Sequence, residues 1–144
     1  MCRLLGVASV VPTSVADTVG DTVLTDFLAL TRIHGDGWGV ASVFDADEPP
    51  RVEVSADSAV DDPRFGTATK ESARGSVVHL RWATNGLAVQ PENSHPFIAD
   101  GLAMAHNGSI KPIAPLEALL DPHIAATLRG TTDSERYFAL VRQY

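Results

Sequence analysis

The chain has 144 residues, a formal net charge of −7, and 44% hydrophobic against 20% charged residues. That is length for one domain with a core of its own and an ordinary globular composition. The acidic balance argues against a nucleic-acid or anionic-membrane surface, because no basic excess is there to meet phosphates. No apolar run approaches the roughly 20 residues that span a bilayer.

The apolar start reaches Pro12 and acidic residues follow, without the small-residue cleavage pattern of a signal peptide. A cytoplasmic protein is the expectation. The single cysteine, Cys2, cannot pair within the chain and cannot build a thiolate metal site alone. It is either a buried structural thiol or a reactive one.

In chain order, Cys2 to Val10 reads as a first strand. Val15 to Ile33 carries Val19, Val23, Phe27 and Leu30 at helical spacing and reads as a helix. His34-Gly35-Asp36-Gly37-Trp38-Gly39 is a glycine-rich turn. A strand from Val40 to Phe44 follows, then a surface turn through Asp45 to Pro50, and then its hairpin partner from Arg51 to Ser55. Asp61 to Arg74 is polar with room for a short helix. Ser76 to Trp82 is a strand, and Gly101 to His106 another, with a loop through Pro91 and Pro96 between them. Pro112 to Leu120 is a short helix. The last helix opens at Thr132, with Glu135 three residues on, a capping-box pattern ahead of Tyr137, Phe138, Leu140 and Val141. Hairpins outnumber strand–helix alternations, which favours α+β with antiparallel sheets.

A cysteine in second position has a chemical opportunity. Removal of Met1 leaves a thiol and a free α-amino group on one residue. That amine has a pKa of about 7.7–8.0, so near neutrality much of it is a base beside the thiol. By position alone an incidental buried cysteine is the plainer reading, since free cysteine is among the most buried residue types. Downstream, His79-Leu80-Arg81-Trp82-Ala83-Thr84-Asn85-Gly86 delivers Arg81 to a strand end, where a guanidinium could grip a carboxylate through two bonds or sit in a surface ion pair. His106-Asn107-Gly108 is either a hairpin turn or an oxyanion hole made by the Asn107 amide and the Gly108 N–H. Asn107-Gly108-Ser109 also fits a glycosylation acceptor, which nothing else about the chain supports. Asp133, in the first turn of a helix, is either a favourable charge at the dipole or a partner for an ammonium. The five histidines lack zincin spacing, so no metal site is expected and each reads as structural.

The order of these motifs carries more than any one of them. Met-Cys, Gly-Asp-Gly-Trp-Gly, His-x-Arg-Trp-Ala-Thr, Asn-Ser-His-Pro-Phe, His-Asn-Gly and Thr-Asp-Ser-Glu run from Cys2 to about Tyr137. Together they resemble the class II glutamine amidotransferase domain. The Met-Cys-Arg-Leu-Leu-Gly start and Asp36-Gly37-Trp38-Gly39 look most like its stand-alone subgroup, the YafJ-like proteins and the γ-glutamyl hydrolases of ergothioneine biosynthesis. The resemblance implies an αββα four-layer sandwich of two antiparallel sheets, the N-terminal-nucleophile hydrolase fold. It implies Cys2 as nucleophile with its own α-amine as base, and Asn107 and Gly108 as the oxyanion hole. Arg81, helped by Trp82 to Thr84, would hold the α-carboxylate of the γ-glutamyl group, and Asp133 its α-ammonium. The Gly35-to-Gly39 turn would shape the pocket floor. No cofactor is expected.

The family domain continues past the Asp-Ser-Glu helix. Residues 1–144 are therefore read as a glutamine amidotransferase type 2 domain incomplete at its C-terminus. The expected activity is hydrolysis of glutamine or a γ-glutamyl conjugate through a γ-glutamyl thioester. The alternative is a catalytically silent binding or regulatory module on the same fold. The expected partner is a small-molecule substrate, with neither nucleic acid nor membrane, and with a second copy or a completing chain left open.

Overall fold

The computed structural model describes residues 2–83 and 87–144. Its centre is a four-stranded antiparallel sheet in the order β1-β4-β2-β3, built from β1 (Arg3–Thr13), β2 (Trp38–Val43), β3 (Arg51–Ser55) and β4 (Ala73–Leu80). Register sets which side chains share a face. Leu5 lies opposite Val78, Trp38 opposite Leu80, and Val40 opposite Val78. Because side chains alternate along a strand, these residues point to one side and meet the helices α1 (Val15–Ala29) and α2 (Pro63–Lys70). The core there gathers Val15, Trp38, Val40, Phe65, Val78 and Leu80, with Phe27 and Leu28 packed against them. Trp38 meets Phe65 edge to face at 5.4 Å, a favoured aromatic geometry.

The opposite face carries Gly39 beside His79 and Ala41 beside Val77. Onto it comes the segment 91–99, which contains β5 (Phe97–Ala99); β5 pairs antiparallel with β6 (Leu102–Met104). The turn between them, Asp100-Gly101, has φ of 52° and 77°. Two left-handed residues make the tight hairpin turn that matches strand twist, and Asp-Gly is a favoured pair for it. Phe97 stacks on Phe138 of α5 (Asp133–Gln143) at 6.3 Å. The short helices α3 (Ala114–Glu117) and α4 (Pro122–Ala125) complete a small second core, in which Leu120, Ile124 and Ala139 are buried.

The architecture is thus α+β with antiparallel sheets. The second sheet has two strands among the described residues, so the full four-layer sandwich is not evident in these 144 residues. Several expected elements shift. The helix expected to run unbroken to Ile33 kinks at Gly20 (φ 80°) and tightens into a 3-10 turn over Leu30–Arg32. β4 starts at Ala73 and ends at Leu80, before Arg81 and Trp82. The loop through Pro91 and Pro96 contains a 3-10 turn at Pro91–Asn93 and the strand β5. No helix among the described residues is long and apolar enough to cross a membrane.

Candidate active site

Cys2 sits just before β1, next to the end of β4, since Arg3 pairs with Leu80. Its thiol is half-buried. The Trp82 N–H donates to Sγ at 3.4 Å, and the thiol donates to the Trp82 carbonyl at 3.6 Å. The Cys2 carbonyl accepts from Asn107 Nδ2 at 3.0 Å and from Arg3 at 3.0 Å. The stretches 81–83 and 106–108 therefore both meet Cys2, from which Trp82 and Asn107 are 80 and 105 residues away in the chain.

A narrow cleft of about 40 Å³ opens there. Its lining includes Cys2, Arg81, Trp82, Gly108 and Asp133. A roomier cavity of about 430 Å³ lies away from the thiol, between β3, β5 and α5, with Val52, Val54, Phe97 and Phe138 in its walls. Size therefore does not mark the site; charge does. Arg81 is 3% exposed. Its guanidinium donates to the Asp36 carbonyl at 3.2 Å and to the Ala88 carbonyl at 2.9 Å. Among the described residues no carboxylate pairs with it. Burial lowers its pKa, and the nearby Asp36 opposes that. A desolvated cation that forms no direct ion pair among the described residues is well placed to take an anion. Asp133, which lines the same cleft, accepts from the Ile110 N–H and likewise has no cation paired with it among the described residues.

The glycine-rich turn works from behind. Asp36 Oδ2 accepts from the Ala83 N–H at 2.8 Å, and the Gly37 carbonyl accepts from the Arg81 N–H at 2.8 Å. Gly35 to Gly39 are absent from the cleft lining, so the turn does not form the pocket floor; it fixes the strand end that carries Arg81. Asn107-Gly108 does not join two strands, because β6 has ended at Met104 and α3 comes next. Gly108 lies close under the His106 ring: a Cβ there would stand 2.5 Å from His106 Nε2, so the ring would have to shift. Trp82 is 46% exposed and meets His34 edge-on at 5.2 Å. Thr84, expected to help bind the carboxylate, lies outside the described residues.

Sequence reasoning passed over Asn93, His95 and Ser134, which line the same cleft. The Asn-Ser-His-Pro-Phe motif contained the first two but gave them no role. His106 Nδ1 bonds Ser134 Oγ at 3.0 Å. His79 Nε2 and His95 Nδ1 share a bond of 2.9 Å in the interior. Among the described residues no cluster of three or more His, Cys, Asp or Glu stands where it could hold a metal ion.

Comparison with known proteins gives the family and the fold. The family model for class-II glutamine amidotransferases matches residues 1–143. The glutamine–fructose-6-phosphate aminotransferase (isomerizing) of Rhizobium meliloti is 30% identical over 154 residues, covering 100% of this chain and 22% of its own length. Its counterpart from Agrobacterium fabrum is 37% identical over 68 residues, covering 47% of this chain and 11% of its own length. The chain therefore spans about a fifth or less of these relatives. A solved glutamine aminotransferase class-II domain protein from Silicibacter pomeroyi shares the fold, with a TM-score of 0.59 and 24% identity over 74% of this chain and 46% of that one. The chain belongs to the class-II glutamine amidotransferase family.

Proposed function

We propose that this chain hydrolyses the γ-amide of glutamine or of a γ-glutamyl conjugate, with Cys2 as nucleophile and its α-amine, freed by loss of Met1, as base. The observation that carries the reading is a pair of opposite charges in one cleft with a thiol, the buried Arg81 and the partly buried Asp133, neither of which forms an ion pair among the described residues. An amino-acid head is a carboxylate and an ammonium on one carbon, and these two residues complement it. The amide at the other end of the substrate then reaches Sγ. The α-amine takes the thiol proton, the thiolate attacks the carbonyl carbon of the γ-amide, its C–N bond breaks, and ammonia or an amine leaves with the proton from the α-amine. Water cleaves the γ-glutamyl thioester to glutamate and restores the thiol. Asn107 Nδ2, already on the Cys2 carbonyl, has a second N–H for the developing oxyanion, and the Gly108 N–H is the other donor. Binding the non-reacting head positions the reacting carbon. Admission of an amino acid into so narrow a cleft would take movement of its exposed wall, Trp82.

The start Met-Cys-Arg-Leu-Leu-Gly and the turn Asp36 to Gly39 support the stand-alone hydrolytic subgroup within the family, on the N-terminal-nucleophile sandwich. The test is release of ammonia and glutamate from glutamine by the purified chain, alongside its intact mass. We expect turnover only from molecules that have lost Met1. Equal turnover by protein retaining Met1 would refute the mechanism, and no turnover by processed protein would favour a silent binding module.

A further inference from the structure

The Asn93 side chain touches both sides of the charged cleft without spending itself on either charge. Asn93 is 1% exposed. Its Nδ2 donates to the Ala88 carbonyl at 3.0 Å, the same oxygen that accepts from Arg81 Nη2 at 2.9 Å. Its Oδ1 accepts from the Thr131 N–H at 2.8 Å, and Nδ2 also reaches Thr131 Oγ1 at 3.2 Å. Thr131 stands two residues before Asp133, directly ahead of the N-cap Thr132 of α5. One buried amide therefore links a carbonyl that anchors the cation to the chain that leads into the anion's helix.

The surroundings are shaped to hold it there. A Cβ at Gly130 would stand 2.5 Å from Asn93 Oδ1 and 2.5 Å from the Glu92 carbonyl oxygen, so glycine is what lets the two segments touch. On the sheet side, Ser94 Oγ donates to the Ser55 carbonyl at 3.1 Å. A Cβ at Gly39 would collide with the His95 carbonyl oxygen. The segment 92–95 is gripped from both sides, and Asn93 is the member that touches both the carbonyl supporting Arg81 and the turn that leads into Asp133.

We infer that Asn93 is a positioning residue that sets the spacing between Arg81 and Asp133 and so selects ligands carrying both a carboxylate and an ammonium on one carbon. This rests on the function proposed above, because it takes those two charges as the head-group site. A residue that only stabilises the fold would affect every ligand alike. A residue that sets the spacing between two charges matters most for a ligand that engages both.

L-glutamate and glutarate separate these cases, since glutarate lacks only the α-ammonium. The experiment is NMR titration of the processed chain with each ligand, for the wild type, Asn93→Ala and Asn93→Asp. Asn93→Asp keeps the Thr131 acceptor and loses the donor to Ala88, so it serves where the alanine variant does not fold. We expect glutamate binding to weaken about tenfold or more in either variant, the loss typical of a broken charge-supporting hydrogen bond. Glutarate binding should change less than about threefold, so that the preference for glutamate collapses. Parallel weakening of both ligands, or no change in either, overturns the inference. A wild type that binds neither ligand overturns the proposed function and this inference together. A wild type that prefers glutamate yet releases no ammonia from glutamine refutes hydrolysis alone, and the variants still decide the role of Asn93.

Discussion

At the residue scale, the charges in the cleft lead to two predictions. Arg81 makes two bonds to backbone carbonyls, from Asp36 and Ala88. A lysine ammonium cannot reproduce that fork and grip a carboxylate as well. Arg81→Lys should raise KM for glutamine by the equivalent of about 1.5–3 kcal/mol. Asp133→Asn keeps an oxygen for the Ile110 N–H while removing the charge, so it should cost a similar amount with the fold intact. Steady-state kinetics decide; unchanged KM in both would return the pair to structural roles. Asn107 separates catalysis from binding, because an oxyanion donor acts where charge develops. Asn107→Ala should lower kcat by roughly 10²–10³ with KM nearly unchanged. Asn107→Asp replaces the donor with a repelling charge and should be at least as inactive. Circular dichroism establishes that each protein is folded, and a folded Asn107→Asp variant with near-normal kcat would remove the oxyanion role.

At the element scale, α5 shows why some of this was readable in the sequence and some was not. Thr132 caps the helix as its pattern implies, with Oγ1 accepting from the Glu135 N–H at 3.1 Å. The Glu135 carboxylate does not close the reciprocal half of the box. It accepts from the Arg129 and Gly130 N–H groups at 2.7 and 2.8 Å, tying down the loop that Asn93 touches. Thr132→Ala should therefore cost about 1 kcal/mol through the cap. Urea unfolding should show a lower midpoint at unchanged m; an unmoved midpoint would mean that the Glu135 bonds alone hold the start of the helix. Local patterns such as the Thr132 cap and the hairpin of β2 and β3 were legible because their physics is local. β6 falls inside the strand expected over Gly101 to His106, but its partner β5 was read as loop although Asp100-Gly101 is a strong turn signal, because a strand of three residues leaves no alternation to read. The roles of Asn93 and Gly39 were not legible. Both depend on backbone from distant segments arriving at the same place, and spacing in one chain does not encode that.

At the scale of the whole molecule, the sheet and the 91–99 segment close over His79 and His95, and that closure should make stability fall with acid from near neutrality. Burial is the main cause that holds the His79 pKa down at about 2 and that of His95 at about 4, with positive neighbours such as Arg81 adding to both and Asp133 opposing for His95. His34, also lowered chiefly by burial, acts in the same direction. In the unfolded chain each imidazole takes its proton near pH 6.5. Between that value and the folded one, the unfolded state binds protons that the native state refuses, so stability rises with pH across the window. The contribution is fully present above about pH 6.5 and is lost progressively as pH falls through the window toward about 4 for His95 and about 2 for His79. Asp62 belongs to a different window. Its hydrogen bond to Arg64 holds it at about 2 against an ordinary 3.8, so its contribution is present above about 3.8 and is lost only in stronger acid. Calorimetric melting from pH 7.5 to 4.5 therefore reads the imidazoles and not Asp62. We expect Tm to fall steadily below about pH 6.5, and a His95→Gln variant, with one fewer buried imidazole, to show a shallower fall over the same range. A Tm that stays level from pH 7.5 to 5 would mean that water reaches these rings, and that the segment carrying Asn93 and His95 does not pack on the sheet as described.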